Sequence, residues 1–345
     1  MSDDSADGRE RTLTRRAGVV GAGVLTSRVF GLVRDAVIAA SFSVGLTDAF
    51  FVAFTIPNAL RSLLGEGAVS GAFVPVFAEV ETKEGATAAR TYLATMFGVL
   101  AAILAVVSVL GILFAPQLVA LYAGGYDAER ERLTVNLTRI VFPYIFFMGL
   151  AALAAGVLNV RRRFFAPAFA PVLLNLAMIA GVLVAIPSVL AMGWPAIAVL
   201  AVAALVGGVL QLAVLLPTLQ REGFLPLPRF SLSNPYVQKS LGLMVPLLAG
   251  MGVYQINILL SRRFASFLSE GSQSYLYYAQ RMVELPQGLF AFALATATLP
   301  TLSALRAKED LERVRETFGF GLRTALFVAI PSSVALAALA DPLVS

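Results

Sequence analysis

From residue 17 onward the chain is a succession of apolar runs, each about as long as a bilayer interior is thick. A hydrocarbon core of about 30 Å takes about 20 residues of helix to cross, and a backbone inside it must satisfy its own hydrogen bonds. Runs near 17–40, 45–78, 91–115, 135–159, 165–187, 192–216, 240–268, 275–305 and 316–340 meet that length, parted by polar or Pro/Gly-rich turns. The expectation is an all-α, polytopic membrane helical bundle with about nine transmembrane helices. The second and eighth runs are overlong, and Pro57 with Gly65, and Pro286 with Gly288, mark where they should kink. Composition agrees: 14% of the residues are charged, against about 25% in a soluble domain.

Loop charge orients the bundle. Arg9, Arg11, Arg15 and Arg16 precede the first run, Lys83 and Arg90 follow the second, and Arg161, Arg162 and Arg163 follow the fourth. Arg221, Arg229 and Lys239 come after the sixth, and Arg306, Lys308, Arg313 and Arg315 after the eighth. The alternate loops hold Arg130 and Arg132, with Arg139, Arg262 and Arg263 near span ends. Lysine and arginine collect on the cytoplasmic side, so the N-terminus is expected there. The net charge of +5 is then topogenic and calls for no nucleic-acid partner. On this reading 1–16 is a cytoplasmic tail, 17–220 a first lobe of about six helices, 221–239 a cytoplasmic linker, and 240–345 a partial second lobe of about three. The first run exceeds signal-peptide length and carries Arg28 and Arg34, so it reads as a retained span. The chain stops beside a helix end with no basic anchor, which reads as a truncation.

Ionisable side chains at membrane depth hold the functional signal. Each costs roughly 2.5–3.5 kcal/mol at the centre of a span, yet the stretch 27–80 contains Arg28, Arg34, Asp35, Asp48, Arg61 and Glu66. Arg28 lies roughly 18 Å inward of Arg16 along a helix, too deep to snorkel. It shares a face with Asp35, and either pairs with it or meets a ligand. Arg34 sits about 120° round the helix, nearer the outer interface, where it either snorkels or functions. Arg61 is mid-span behind Pro57-Asn58, with Glu66 as a partner within reach. Asp48 either N-caps its span or takes part in gating. Arg281 and Glu284, three apart on one face, can pair.

Guanidinium forks match phosphate oxygens in bidentate geometry and stay charged at any relevant pH. An arginine-lined cavity in a helical bundle therefore suits a diphosphate or another polyanionic head group. Cysteine and histidine are absent, which removes disulfides, imidazole bases and Cys/His metal sites. Ser70, between glycines, consequently has no base to make it a nucleophile. An enzyme is the least expected class, and no cofactor is called for. With no Walker motif, movement must come from gradients or from rocking of lobes. A weak internal repeat at an offset near 225 supports lobes: Ala40-Ser41-Phe42 recurs as Ala265-Ser266-Phe267, and Pro75 as Pro300.

At these residues the chain resembles the MurJ/MviN family of lipid II flippases, in the multidrug/oligosaccharidyl-lipid/polysaccharide (MOP) exporter superfamily. The likeness is carried by SRVFGLVRDAVIA, TDAFFVAFTIPNALR, EGAVSGAFVPVFAE, RRRFFAPAFAPVLLN and YYAQRMVELPQGLF, and extends from about residue 17 onward. It implies a MATE-like bundle of two pseudo-repeated lobes in the cytoplasmic (inner) membrane. Its substrate would be lipid II, an undecaprenyl-diphosphate-linked peptidoglycan precursor, moved from the inner to the outer leaflet by alternating access. It places Arg28, Arg34, Arg61 and Arg281 on the diphosphate, and gives Asp35, Asp48, Glu66 and Glu284 gating or ion-pair roles. A monomer in the phospholipid bilayer, in touch with cell-wall synthesis machinery, is implied as well.

Two departures from the family stand out. It has about fourteen helices, so the second lobe here is expected to be incomplete and this chain alone is expected not to complete transport. An acidic residue that serves a sodium site in the family's seventh helix is replaced in 240–268 by Gln255 and Asn257. That speaks against sodium coupling and leaves membrane potential or another ion gradient. The competing readings are a flippase for another polyprenyl-diphosphate glycan and a non-transporting membrane scaffold for cell-wall synthesis.

Overall fold

The computed structural model describes residues 3–286 and 310–338, with 294, 298, 301–303, 305 and 306 between them; for 3–17, 19, 65–68, 285 and 286 it describes the backbone only. The described residues form helices and turns with no strand, as an all-α bundle requires. The helices are α1 (Asp3–Ser41), α2 (Val44–Ser62), α3 (Val74–Leu113), α4 (Ala115–Ala123), α5 (Ala128–Val141) and α6 (Tyr144–Val160). They continue with α7 (Phe165–Ala180), α8 (Ile186–Ala191), α9 (Ala198–Arg221), α10 (Pro235–Ala265), α11 (Ser272–Pro286) and α12 (Leu311–Ala338). Six stretches among the described residues are long and apolar enough to cross a membrane: Val69–Leu113, Ala128–Val160, Phe165–Ala191, Ala198–Arg221, Pro235–Ala265 and Leu311–Ala338.

The kink expected in the second apolar run falls later than Pro57. α2 continues through that proline, and the helix then widens into a π-helical segment, Leu63–Phe73, rich in glycine. Without Cβ atoms, Gly65, Gly67 and Gly71 leave room for the wider turn, and such segments recur at functional sites. α3 breaks at Gly85, whose φ of 87° is open to glycine at little cost. That break parts the second and third apolar runs. Residues 287–293, which include Gly288 of the other expected kink, lie outside the described residues.

The chain divides into two compact units, 1–273 and 274–345. In the first, α7 lies between α1 and α9, α6 packs on α9 and α3, α2 on α5, and α10 on the π segment, α4 and α3. The buried centre is aromatic and aliphatic: Phe73 stacks on Tyr92 at 5.5 Å and meets Phe77 at 5.7 Å. Gly111 is where Phe142 presses in, since a Cβ there would stand 2.0 Å from its ring.

At the end assigned to the cytoplasm, arginines and glutamates bind the helix ends together. Arg161 donates to Glu81 (2.8 Å) and Glu222 (3.4 Å), and Arg163 donates to Glu222 (2.6 Å). Lys239 at the start of α10 reaches Glu79 (2.6 Å). The Arg163 guanidinium holds the Glu222 carboxyl below the usual carboxylate range. A depressed carboxyl adds stability above its unfolded pKa and loses it as pH falls through the folded value. Acidification below about pH 4 is therefore expected to lower the melting temperature. Glu222→Gln should remove that part of the acid response while costing about 1 kcal/mol or less per ion pair at neutral pH. Paired melting curves across pH check both.

Candidate functional site

The polar groups at membrane depth in the first unit are carried by α1, α2, α6 and α7. α1 comes close to α7 because Gly23 has no side chain: a Cβ there would lie 2.6 Å from Ala168 Cβ. Two turns on, Gly31 leaves space for the Asn175 amide, whose nitrogen would sit 3.8 Å from a Cβ at that position. Into this contact the next turn of α1 delivers Arg34 and Asp35.

Arg34 is 3% exposed and therefore does not snorkel to the interface. Its Nε and Nη2 donate to Asp35 Oδ1 at 2.9 and 2.6 Å, and its Nη1 donates to Asn175 Oδ1 at 2.9 Å. Asn175 Nδ2 in turn donates to the Ser27 carbonyl on α1, at 3.0 Å. The buried cation thus meets a carboxylate and a neutral amide, which offsets the cost of holding it out of water. Arg28 is half-buried on the same helix, roughly 9 Å along it from Arg34.

Arg61 is half-buried in the last turn of α2, and its Nε donates to Asn58 Oδ1 at 2.8 Å. Next to it in sequence, Ser62 Oγ accepts from Gln255 Nε2 of α10 at 2.7 Å. This bond ties α10 to α2. Tyr144 of α6 is buried and lies within electrostatic reach of both Arg61 and Arg34. Arg34 and Arg61 therefore belong to one polar seam inside an apolar unit. The side chain of Glu66 lies outside the described residues.

Asp48 does not cap its helix. α2 begins at Val44, with Ser43 as N-cap, so Asp48 sits inside the first turns and is 1% exposed. Its Oδ2 accepts the Gly271 N–H at 2.8 Å, which ties α2 to the α10–α11 turn. Around that turn Arg130 pairs with Glu270 (2.9 Å), Arg263 donates to the Ala120 and Leu121 carbonyls, and buried Arg262 and Gln273 bond one another. These contacts tie the helix ends together at that end of the first unit.

In α11, Arg281 donates to Glu284 Oε2 at 3.1 Å and to the Tyr277 hydroxyl at 3.2 and 3.3 Å, and it lies over the Tyr277 ring. The pairing expected from the three-residue spacing is present. Among the described residues, no three or more Asp, Glu, His or Cys side chains converge as metal ligands.

Sequence reasoning missed Asn175, Tyr144 and Asn58 as members of the seam. Asn175 carried a signal, because it is the one polar side chain in α7, and a lone amide in an apolar span needs a partner. What the seam can do chemically is meet an anion with guanidinium groups.

A family model for the lipid II flippase MurJ matches residues 38–345. The chain is 42% identical over 330 residues to a lipid II flippase MurJ of Burkholderia cenocepacia, an alignment covering 92% of this chain and 62% of that protein. To a probable lipid II flippase MurJ of Haemophilus influenzae it is 37% identical over 335 residues, covering 92% and 65%. The chain thus spans a little under two thirds of the length of these relatives. Among solved structures it is similar to a lipid II flippase MurJ in an inward closed conformation, with TM-score 0.77 and 29% identity over 94% of this chain and 66% of that one. An inward-facing MATE family transporter of the MOP superfamily matches with TM-score 0.71 over 92% of this chain and 71% of that one. At 14% identity the latter is a likeness of fold alone.

Proposed function

The chain belongs to the lipid II flippase MurJ family, and from that premise we propose that it binds lipid II and takes part in carrying it from the inner to the outer leaflet of the cytoplasmic membrane. The observation that carries this reading is the polar seam that puts Arg34 and Arg61 inside an apolar helical unit. A charge there is costly and is retained where it serves a ligand or a gate. A diphosphate supplies the compensating oxygens in bidentate geometry.

In this reading Arg28 and Arg61, both half-buried, meet the diphosphate first. Arg34 is the fixed cation behind them, and Arg281 is assigned to the diphosphate as well. Asp35 holds Arg34. Asp48 closes the outer end through Gly271 and lets go when the outer side opens, as alternating access requires. Glu284 keeps Arg281 in place, and Glu66 is assigned to pairing. The drive is the membrane potential or an ion gradient, with the absence of an acidic residue in 240–268 speaking against sodium, acting on a monomer whose N-terminus faces the cytoplasm. The function needs neither cofactor nor catalytic chemistry. Lobes of 17–220 and 240–345 complete the proposal, and contact with the cell-wall synthesis machinery is part of it.

The test is retention by the purified chain in lipid nanodiscs, read by native mass spectrometry. Lipid II and undecaprenyl diphosphate are expected to be retained and to compete, while undecaprenol, which lacks the diphosphate, is lost. Equal retention of undecaprenol would refute diphosphate recognition. A second glycan linked to the same diphosphate that displaced lipid II mole for mole would move the assignment to the broader substrate class.

A further inference from the structure

Asn175 is the only polar side chain along α7, and it is 5% exposed. A side-chain amide in an apolar setting is costly unless both its ends are bonded. Both are: Oδ1 accepts from Arg34 Nη1 at 2.9 Å and Nδ2 donates to the Ser27 carbonyl at 3.0 Å. The orientation of the amide is dictated by its neighbours. A guanidinium only donates and a carbonyl only accepts, so the flipped amide would set donor against donor and acceptor against acceptor. Gly31, with no side chain, makes the approach from α7 to α1 open.

Asn175 therefore grips α1 at two points. One is the head of Arg34; the other is the main chain at Ser27, the neighbour of Arg28. The Asp35 carboxylate, next to Arg34 in sequence, moves with α1 and cannot by itself fix where Arg34 lies relative to the rest of the seam. The tie to α7 does that, 141 positions away in the chain.

We propose that Asn175 is a positioning residue of the diphosphate site: it sets the guanidinium of Arg34, the fixed cation behind the diphosphate, and the main chain of α1 next to Arg28. This rests on the diphosphate reading above. A pre-set guanidinium loses less rotamer freedom when the anion arrives, so removing the tie should weaken the diphosphate and leave contacts to the prenyl tail alone.

The test compares the wild-type chain with Asn175→Leu, Asn175→Ser and Arg61→Gln in nanodiscs of zwitterionic phospholipid. Affinities for farnesyl diphosphate and farnesol are measured beside the melting temperature of each. Serine fits the site but is too short to reach Arg34. Both Asn175 variants are expected to weaken farnesyl diphosphate about tenfold, the scale of one hydrogen bond to a charged group, with farnesol unchanged. If Arg61→Gln weakens the diphosphate while the folded Asn175 variants bind it like wild type and only melt lower, Asn175 is merely structural and the proposal falls. If none of the variants, Arg61→Gln included, affects the diphosphate, the site reading itself fails. Should leucine not fold, serine decides; failure of both to fold would make Asn175 a folding residue and overturn the positioning role.

Discussion

Arg61→Glu is expected to abolish measurable retention of lipid II, and Arg28→Glu to do nearly the same, while both proteins keep their helix content. Losing one charge-assisted contact from a site shielded from water costs about 2–5 kcal/mol, a fall of roughly 30- to 4000-fold in affinity at 1.4 kcal/mol per decade. Reversal adds repulsion between the new carboxylate and the diphosphate. The fold should tolerate both changes because each arginine is half-buried rather than sealed. Arg61 bonds a neutral side chain, Asn58, in its own helix. Native mass spectrometry with lipid II at rising concentration reads the affinity, and circular dichroism the fold. Wild-type retention in both variants would remove these arginines from the binding site.

That prediction draws on what was legible before any coordinates. Apolar length gives the helices directly, because nothing but length and hydrophobicity is needed for a segment to cross a bilayer. Arginines amid such segments are anomalies visible in one pass. What the sequence could not supply is partnership across the chain. The heptad spacing that set Arg28 and Asp35 on one face gave no hint that Asp35 bonds the adjacent Arg34, because that requires a side chain to fold back along its own helix. The Asn175 tie spans 141 positions, and only packing of α1 on α7 creates it.

Asp48 shows the same limit from the other side. Its place at the head of an apolar run suggested a cap, but α2 starts earlier, at Val44, and the carboxylate instead meets Gly271, 223 positions on. The turn after Ser41 and the turn after Ser266 are brought face to face, with Glu270 beside Gly45 and Asp48 on Gly271. Each looked like an ordinary loop in sequence.

Arg34→Leu is expected to be the most destabilising single change in the first unit. It removes the guanidinium from a sealed place where Asp35 and Asn175 both bond it. The cost lies less in the lost contacts than in what stays behind, a carboxylate and an amide oxygen with their donor gone. Breaking a buried ion pair from one side costs about 3–5 kcal/mol. Taking the remaining charge away as well should recover most of it, so Arg34→Leu with Asp35→Leu is expected to be closer to wild type than Arg34→Leu alone. Arg34→Lys should recover only part, because one ammonium cannot reproduce the fork that serves Asp35 and Asn175 together. Reversible unfolding in mixed micelles measures the double-mutant cycle, and its coupling energy isolates the pair. A near-zero coupling would show that Arg34 is held by the surrounding packing rather than by Asp35. If the double variant regains stability yet fails to retain lipid II, the buried charge is there for the ligand and not for the fold.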